Sequence, residues 1–440
     1  MTRVMAAVLL VCGLLLVTVR AEQWPQFRGL TAGSIPDSPG LPDRWSQTDN
    51  VVWTLDVPGR GWSSPVVWGD HVFITSVIDP TGPAKPPRPG LYGGGGVSEP
   101  PGPQRWVVYD IDYTTGTIRW ERQVLAGVPS LPTHSKNSYA SETPSTDGER
   151  VYVYAGNIGL FVYDMQGTLV WSKPIGPFKT RNDWGTGASP VIHKSRVYLL
   201  HDNDQQSFLA AYDARTGREL WKVDRKEGTN WSTPFVWENT LRTEIVTNGT
   251  DRVRSYDLNG ALLWEIAHTS GLTVPTPYSR HGLLYVSSGF VVDAYRPVFA
   301  IRPGASGDIT LKGEETSNAF IAWMQPKMAA QITTTLVHGD YIYTLLDGGF
   351  VTCHDAKTGK EVYGRQRLET GGFTASPWAY NGKIFALSEE GDTYVIQAGP
   401  QFKVLWKNAL GEMAMATPAV VRDNLIIRTM SHLYRIGRAG

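Results

Sequence analysis

The sequence predicts an all-β fold, an eight-bladed β-propeller whose ring is closed by an N-terminal strand, and three observations carry that expectation. A Ser/Thr-Pro pair opens each repeat: Ser64-Pro65, Thr143-Pro144, Ser189-Pro190, Thr233-Pro234, Thr276-Pro277, Ser376-Pro377 and Thr417-Pro418, with Thr334-Thr335 where a proline is missing. The pairs recur about every 43 residues, with two longer intervals of 79 and 58. An aromatic closes each repeat, at Trp53, Trp120, Trp171, Trp221, Trp264, Trp323, Tyr363 and Trp406. Third, the first landmark is an aromatic without a preceding Ser/Thr-Pro, and the last, Thr417-Pro418, has no aromatic after it. Starts and ends therefore pair only if the run from Val51 to Leu55 supplies the last strand of the last blade. Four short strands in each repeat of roughly 40–45 residues are the unit of a propeller.

Taken in chain order, residues 1–21 read as a signal peptide, with Arg3 as its basic start and Val4 to Val19 as its apolar core. Cleavage is expected before Glu22, giving a periplasmic or secreted protein. The apolar core is shorter than the ~20 residues of a spanning helix, so no membrane span is expected after cleavage. Residues 22–49 read as an N-terminal extension that can be trimmed up to Trp45 at little cost, and 50–440 as a single propeller domain. Each blade should hold four antiparallel strands, A to D, built from β-branched and aromatic runs such as Val151 to Tyr154. Strand D follows a tight turn, clearest in the stretch from Ala211 to Trp221, where Asp213 bonds its own backbone and Gly217 takes a positive φ. Two insertions break the pattern. The Pro- and Gly-rich stretch 78–104, between strands B and C of blade 1, is expected to form a mobile flap. The stretch 302–319, between strands C and D of blade 5, is expected to project from the opposite face.

Composition narrows the function classes. The chain has 41 Lys and Arg against 41 Asp and Glu, with charged residues at 19%. No basic surplus remains for nucleic acid or for an anionic membrane surface. With 46 glycines and 29 prolines the chain stays below the ~25–30% of Gly plus Pro typical of disorder. Cys12 falls in the leader, which leaves Cys353 and no internal disulfide. Of 16 tryptophans, seven are repeat positions. A buried indole removes ~150–250 Å² from water, worth roughly 4–6 kcal/mol, so these count as blade-to-blade wedges.

The Ala-x-Asp-x-x-Thr-Gly-x-x-x-Trp phrase resembles the tryptophan-docking motif of the quinoprotein repeat family, named for pyrroloquinoline quinone (PQQ). The resemblance runs from Trp24 to Ile436, and Trp24-Pro25-Gln26-Phe27-Arg28-Gly29 is similar to the opening phrase of exported PQQ-repeat-like proteins. It implies an eight-bladed propeller. For activity it implies two possibilities, because the family holds quinone-dependent alcohol and sugar dehydrogenases and also the outer-membrane assembly scaffold BamB, which carries no quinone.

In a propeller, strand A lines the central channel, and the D–A and B–C connections share one face. Trp62, Trp184 and Trp231, shortly before Pro65, Pro190 and Pro234, belong at that mouth, with Asn137, Tyr139, Glu142 and Asp183 from D–A connections and Asp202 and Asp204 from a B–C loop. Aromatic, amide and carboxylate groups converging on a concavity make a ligand site. A dehydrogenase of the family would hold PQQ and calcium, and Glu142, Asn137 and Asp202 or Asp204 are the available oxygen donors. No catalytic residue and no metal site is assigned. Vicinal cysteines, a haem-attachment motif, histidines at zinc spacing and a nucleophile elbow are all missing. The leading expectation is an exported, BamB-like ligand-binding or protein-interaction module, its partner a protein, a small molecule or a glycan. The alternatives are a PQQ- and calcium-dependent dehydrogenase and a carbohydrate-binding or -processing propeller.

Overall fold

The computed structural model describes residues 22–82, 87–90, 96–98 and 102–438. The expected signal peptide, and with it any test of cleavage before Glu22, lies outside the described residues, as do parts of the blade 1 insertion.

Blade 3 shows why these residues form these elements. Its strands are Val191–His193 (A), Arg196–His201 (B), Ser207–Asp213 (C) and Glu219–Arg225 (D), paired antiparallel in that order. Strands B and C are almost continuously apolar and buried, because neighbouring blades cover both of their faces. Strand D alternates between exposed and half-buried positions, as an outer strand should. Eight sheets of this kind follow one another along the chain. The last is made of Ala419–Val421, Asn424–Arg428 and His432–Ile436, and Val51–Asp56 completes it as the outermost strand, with Trp53 opposite Arg435. The predicted closure is therefore present. Among the described residues, no helix is long and apolar enough to cross a membrane.

The closing aromatics dock on the next blade. The indole N–H groups of Trp53, Trp120, Trp171, Trp221 and Trp323 donate to the backbone carbonyls of Tyr113, Met165, Ala214, Leu258 and Ala356, at 2.8 to 3.1 Å. Each carbonyl belongs to the C–D turn of the following blade. Trp264 departs from this pattern, because blade 5 lacks that turn and carries the 302–319 insertion. The insertion leans onto the neighbouring blade 4, where Arg242 of the A–B turn donates to the Ala305 carbonyl. Gly307–Asp308 adds a parallel fifth strand beside Trp264 and Glu265 of blade 4, while Ala305 and Ile309 bury against the ring. The Trp264 N–H turns instead to Glu244 of its own blade, at 2.7 Å.

The segment before Trp45 is not a loose extension. Trp24 exchanges backbone hydrogen bonds with Val67 of blade 1, Pro25 accepts one from Thr146 of blade 2, and Gly33 and Ile35 pair with Ala379 of blade 7. All three partners lie on channel-facing A strands. Trp24, Arg28, Ile35 and Leu41 are buried, and Asp43 accepts the Trp406 indole N–H at 2.7 Å, in place of the turn that blade 8 does not have. The chain thus laces across the end of the channel opposite the D–A face.

Candidate functional site

The channel encloses a cavity of about 700 Å³ that opens on the D–A and B–C face. Phe27, from the lacing segment, reaches its wall from below.

Its middle is a belt of hydroxyls. All eight repeat-opening residues, Ser64, Thr143, Ser189, Thr233, Thr276, Thr334, Ser376 and Thr417, line the cavity. In six of the eight steps around the ring, the backbone N–H of one donates to the Oγ of the next, at 2.9 to 3.0 Å. The repeat needs a hydroxyl there because strand A has no neighbour on its inner edge, and the next blade's side chain satisfies its first N–H.

The rim is aromatic. Trp62 packs with Met413 and Met415, and its Nε1–H donates to the Lys136 carbonyl at 2.9 Å. Trp184 and Trp231 lie 5.9 Å apart at 36°, and the Trp231 Nε1–H donates to the Gly185 carbonyl at 2.8 Å. His134 sets its ring edge against Trp184, and burial together with Lys136 lowers its pKa. Phe290, Phe373 and Met415 continue the apolar wall.

Three charged side chains reach this wall. The Lys136 ammonium lies 2.7 Å from both carboxylate oxygens of Glu389, which also accept the Gly90 N–H and the Thr374 hydroxyl. This pair spans the mouth from blade 1's outgoing loop to blade 7 and pins the described part of the blade 1 insertion there. Further along, Val97–Ser98 pairs with Thr133–His134. Asp347 accepts the Gln331 N–H at 3.1 Å, and burial raises its carboxyl pKa.

Of the nine sequence-chosen residues, Trp62, Asn137, Trp184 and Trp231 meet on the cavity wall. The Asn137 amide is committed to the carbonyls of Trp184 and Thr186. Tyr139 turns outward against Trp106, and its hydroxyl donates to the Leu131 carbonyl. Glu142 is buried between blades with Thr186 at 2.5 Å, and desolvation raises its pKa. Asp183 lies in a short 3-10 turn next to Trp184 and off the wall. Asp202 is fully enclosed, held bidentately by Arg225 at 2.9 Å and by Asn230 at 2.5 Å. Asp204 caps Thr229 at 3.0 and 2.7 Å. The conceived calcium donors are therefore dispersed, and among the described residues no three acidic, histidine or cysteine side chains converge as a metal cage.

Sequence reasoning used the members of the belt as repeat landmarks and did not bring their side chains together on a cavity wall. It also missed Lys136, Asp347 and Phe290, which reach the cavity through folding and carry no motif, and Phe27, whose phrase was legible but whose place at the cavity was not.

Structures similar to this one show where the fold has been seen. BamB from Moraxella catarrhalis matches with a TM-score of 0.59 at 11% identity, over 88% of this chain and 97% of that one. A europium-containing methanol dehydrogenase matches with a TM-score of 0.61 at 11% identity, over 94% and 90%. At such identity the likeness concerns the fold alone. No curated protein matches the chain in sequence. A family model described as outer membrane protein assembly factor BamB matches residues 45–205, 104–265 and 205–439. Since these matches run through every blade, the chain belongs to that family of PQQ-type propellers.

Proposed function

We propose that this protein is an exported binding module that takes its ligand in the channel, between the aromatic rim and the hydroxyl belt. The observation that carries this reading is the cavity itself. Its volume of about 700 Å³ falls in the ~300–1,000 Å³ range of ligand sites. Its wall combines apolar rings with a few placed polar groups, and the N-terminal segment floors it.

The quinone alternative fits these residues poorly. PQQ carries three carboxylates and works with a divalent cation. Among the described residues, Lys136 is the one Lys or Arg lining the cavity, and Glu389 already neutralises it. The would-be calcium donors Glu142, Asp202 and Asp204 are bound to Thr186, Arg225 and Thr229.

A thermal-shift screen of small molecules, in parallel with the Trp62→Ala, Trp184→Ala and Trp231→Ala variants, tests the proposal. Stabilising ligands should lose their effect in these variants, and hits that stabilise all three variants as well as the parent protein would sink the site. In a second arm, PQQ with Ca²⁺ should leave no quinone absorbance on the protein after gel filtration. Retained absorbance with dye reduction by alcohols would restore the dehydrogenase.

A further inference from the structure

We infer that the ligand of the channel is the end of a neutral oligosaccharide, its terminal ring lying on Trp184 and Trp231 and its oxygens meeting the hydroxyl belt. The inference rests on the channel being the binding site and adds the chemistry of what enters it.

Lys136 and Glu389 cancel each other across the mouth, while burial favours the neutral forms of Asp347 and His134. Among the described residues, a phosphate, a polycarboxylate or an acidic peptide finds no unpaired cation on this wall, and an organic cation finds Glu389 paired with Lys136 and Asp347 facing Arg296 at 4.0 Å. An uncharged ligand meets no such mismatch.

The aromatics offer apolar surface. The indole N–H groups of Trp62 and Trp231 are spent on backbone carbonyls. Both line the cavity without a free N–H, and the Trp184–Trp231 pair makes a slanted apolar platform there. A pyranose ring has a C–H face that suits such a platform and carries its hydroxyls at the rim.

The belt supplies the donors. In six steps the Oγ atom accepts a backbone N–H, which occupies a lone pair and leaves the O–H proton to donate. A ring of donors calls for a ligand dense in oxygen acceptors, and a lipid tail or other apolar guest would strand them. Sugars combine an apolar face with many uncharged oxygens. Because the lacing segment places Phe27 at the bottom, a chain end fits and a threaded polymer does not.

Maltotriose, cellotriose, chitotriose and mannotriose, titrated against the whole protein by calorimetry and tryptophan fluorescence, test the inference, with trigalacturonate and PQQ plus Ca²⁺ as charged comparisons. At least one neutral trisaccharide should bind and quench tryptophan emission. Trp184→Ala should weaken it by about tenfold or more, and Trp231→Ala, which removes the other half of the platform, by a comparable factor. Silence of all four neutral sugars while a charged probe binds in a Trp184-dependent way overturns the saccharide and leaves the channel site standing. Sugar binding that neither substitution weakens places the site elsewhere and overturns both.

Discussion

At Gly359 the backbone φ is +72°, and a Cβ would sit 2.7 Å from the Trp323 ring. The glycine of the docking turn therefore answers two demands, a left-handed backbone and room for the preceding blade's indole. Gly382 separates them, since its φ is +66° with nothing within 4 Å of a Cβ. Gly382→Ala should cost about 1 kcal/mol of strain, and Gly359→Ala about 2–4 kcal/mol, because overpacking is added. Urea denaturation of both variants checks this, and equal costs would mean that the ring does not bear on the turn. His201 gives a pH signature at the same scale. It is enclosed by Phe178 and Phe208, its ring bonds the Tyr154 hydroxyl, and burial pushes its pKa down to about 4. The unfolded chain, with an ordinary histidine near 6.5, then binds more protons between these values. Stability from this group is complete above pH ~6.5 and is lost as pH falls toward 4, by up to about 3 kcal/mol. Glu142 and Asp347, with raised pKa values, act in the opposite direction toward acid. Between pH 6.5 and 4 a His201→Asn protein should lose less stability than the parent, as followed by calorimetric Tm. Parallel curves would show that His201 does not carry the acid sensitivity.

Blades and their connections are the scale at which sequence and structure agree best. Repeated Asp-x-x-Thr-Gly turns and closing aromatics could be counted because each blade solves the same local problem with the same residues. The exceptions arise where one blade borrows from another part of the chain. Trp264 lost its turn and gained the parallel strand Gly307–Asp308, and nothing in the 302–319 stretch says which edge it will seek. The site was less legible for the same reason. Asp202 looked like a metal ligand because its partner, Arg225, lies on the far strand of the blade, and Glu142 because Thr186 lies on the next blade. Burial also grades the docking residues: Trp323 is 4% exposed, while Trp221 is only half-buried. Trp323→Ala should cost about 3–5 kcal/mol, and Trp221→Ala measurably less. At the closing seam, Arg428 is enclosed, with no carboxylate among the described residues against it. Its guanidinium donates to the Ser63 and Thr75 carbonyls and to the Ser63 and Ser76 hydroxyls, at 2.7 to 3.3 Å, and so ties blade 8 to blade 1. Arg428→Met should cost about 1–3 kcal/mol in chemical denaturation, since the Ser63 carbonyl and the Ser76 hydroxyl lose a buried donor; a neutral result would assign the seam to the strand pairing alone.

The ring as a whole is held by two different uses of the N-terminal chain, and truncation separates them. Residues 24–43 floor the channel and bridge A strands across it, whereas Val51–Asp56 supplies the outer strand of blade 8. Deleting 22–42 removes the buried Trp24, Arg28, Ile35 and Leu41 but keeps the closure strand. The ring should stay closed and monomeric, with a lower Tm and still one cooperative transition, because every blade retains its four strands. Deleting 22–56 also takes away the partner of His432–Ile436 and the Trp53 wedge against Tyr113. An unpaired strand edge and an open seam between blades 8 and 1 then face solvent together, the arrangement that leads to edge pairing or strand exchange between copies. The longer deletion should therefore elute as oligomers or aggregate, and a synthetic peptide spanning residues 49–57 should return part of it to the monomer. Light scattering coupled to gel filtration and scanning calorimetry read both outcomes. A 22–42 deletion with unchanged Tm would show that the floor contributes nothing to the fold, and a monomeric, cooperatively unfolding 22–56 deletion would show that the ring does not need its closing strand.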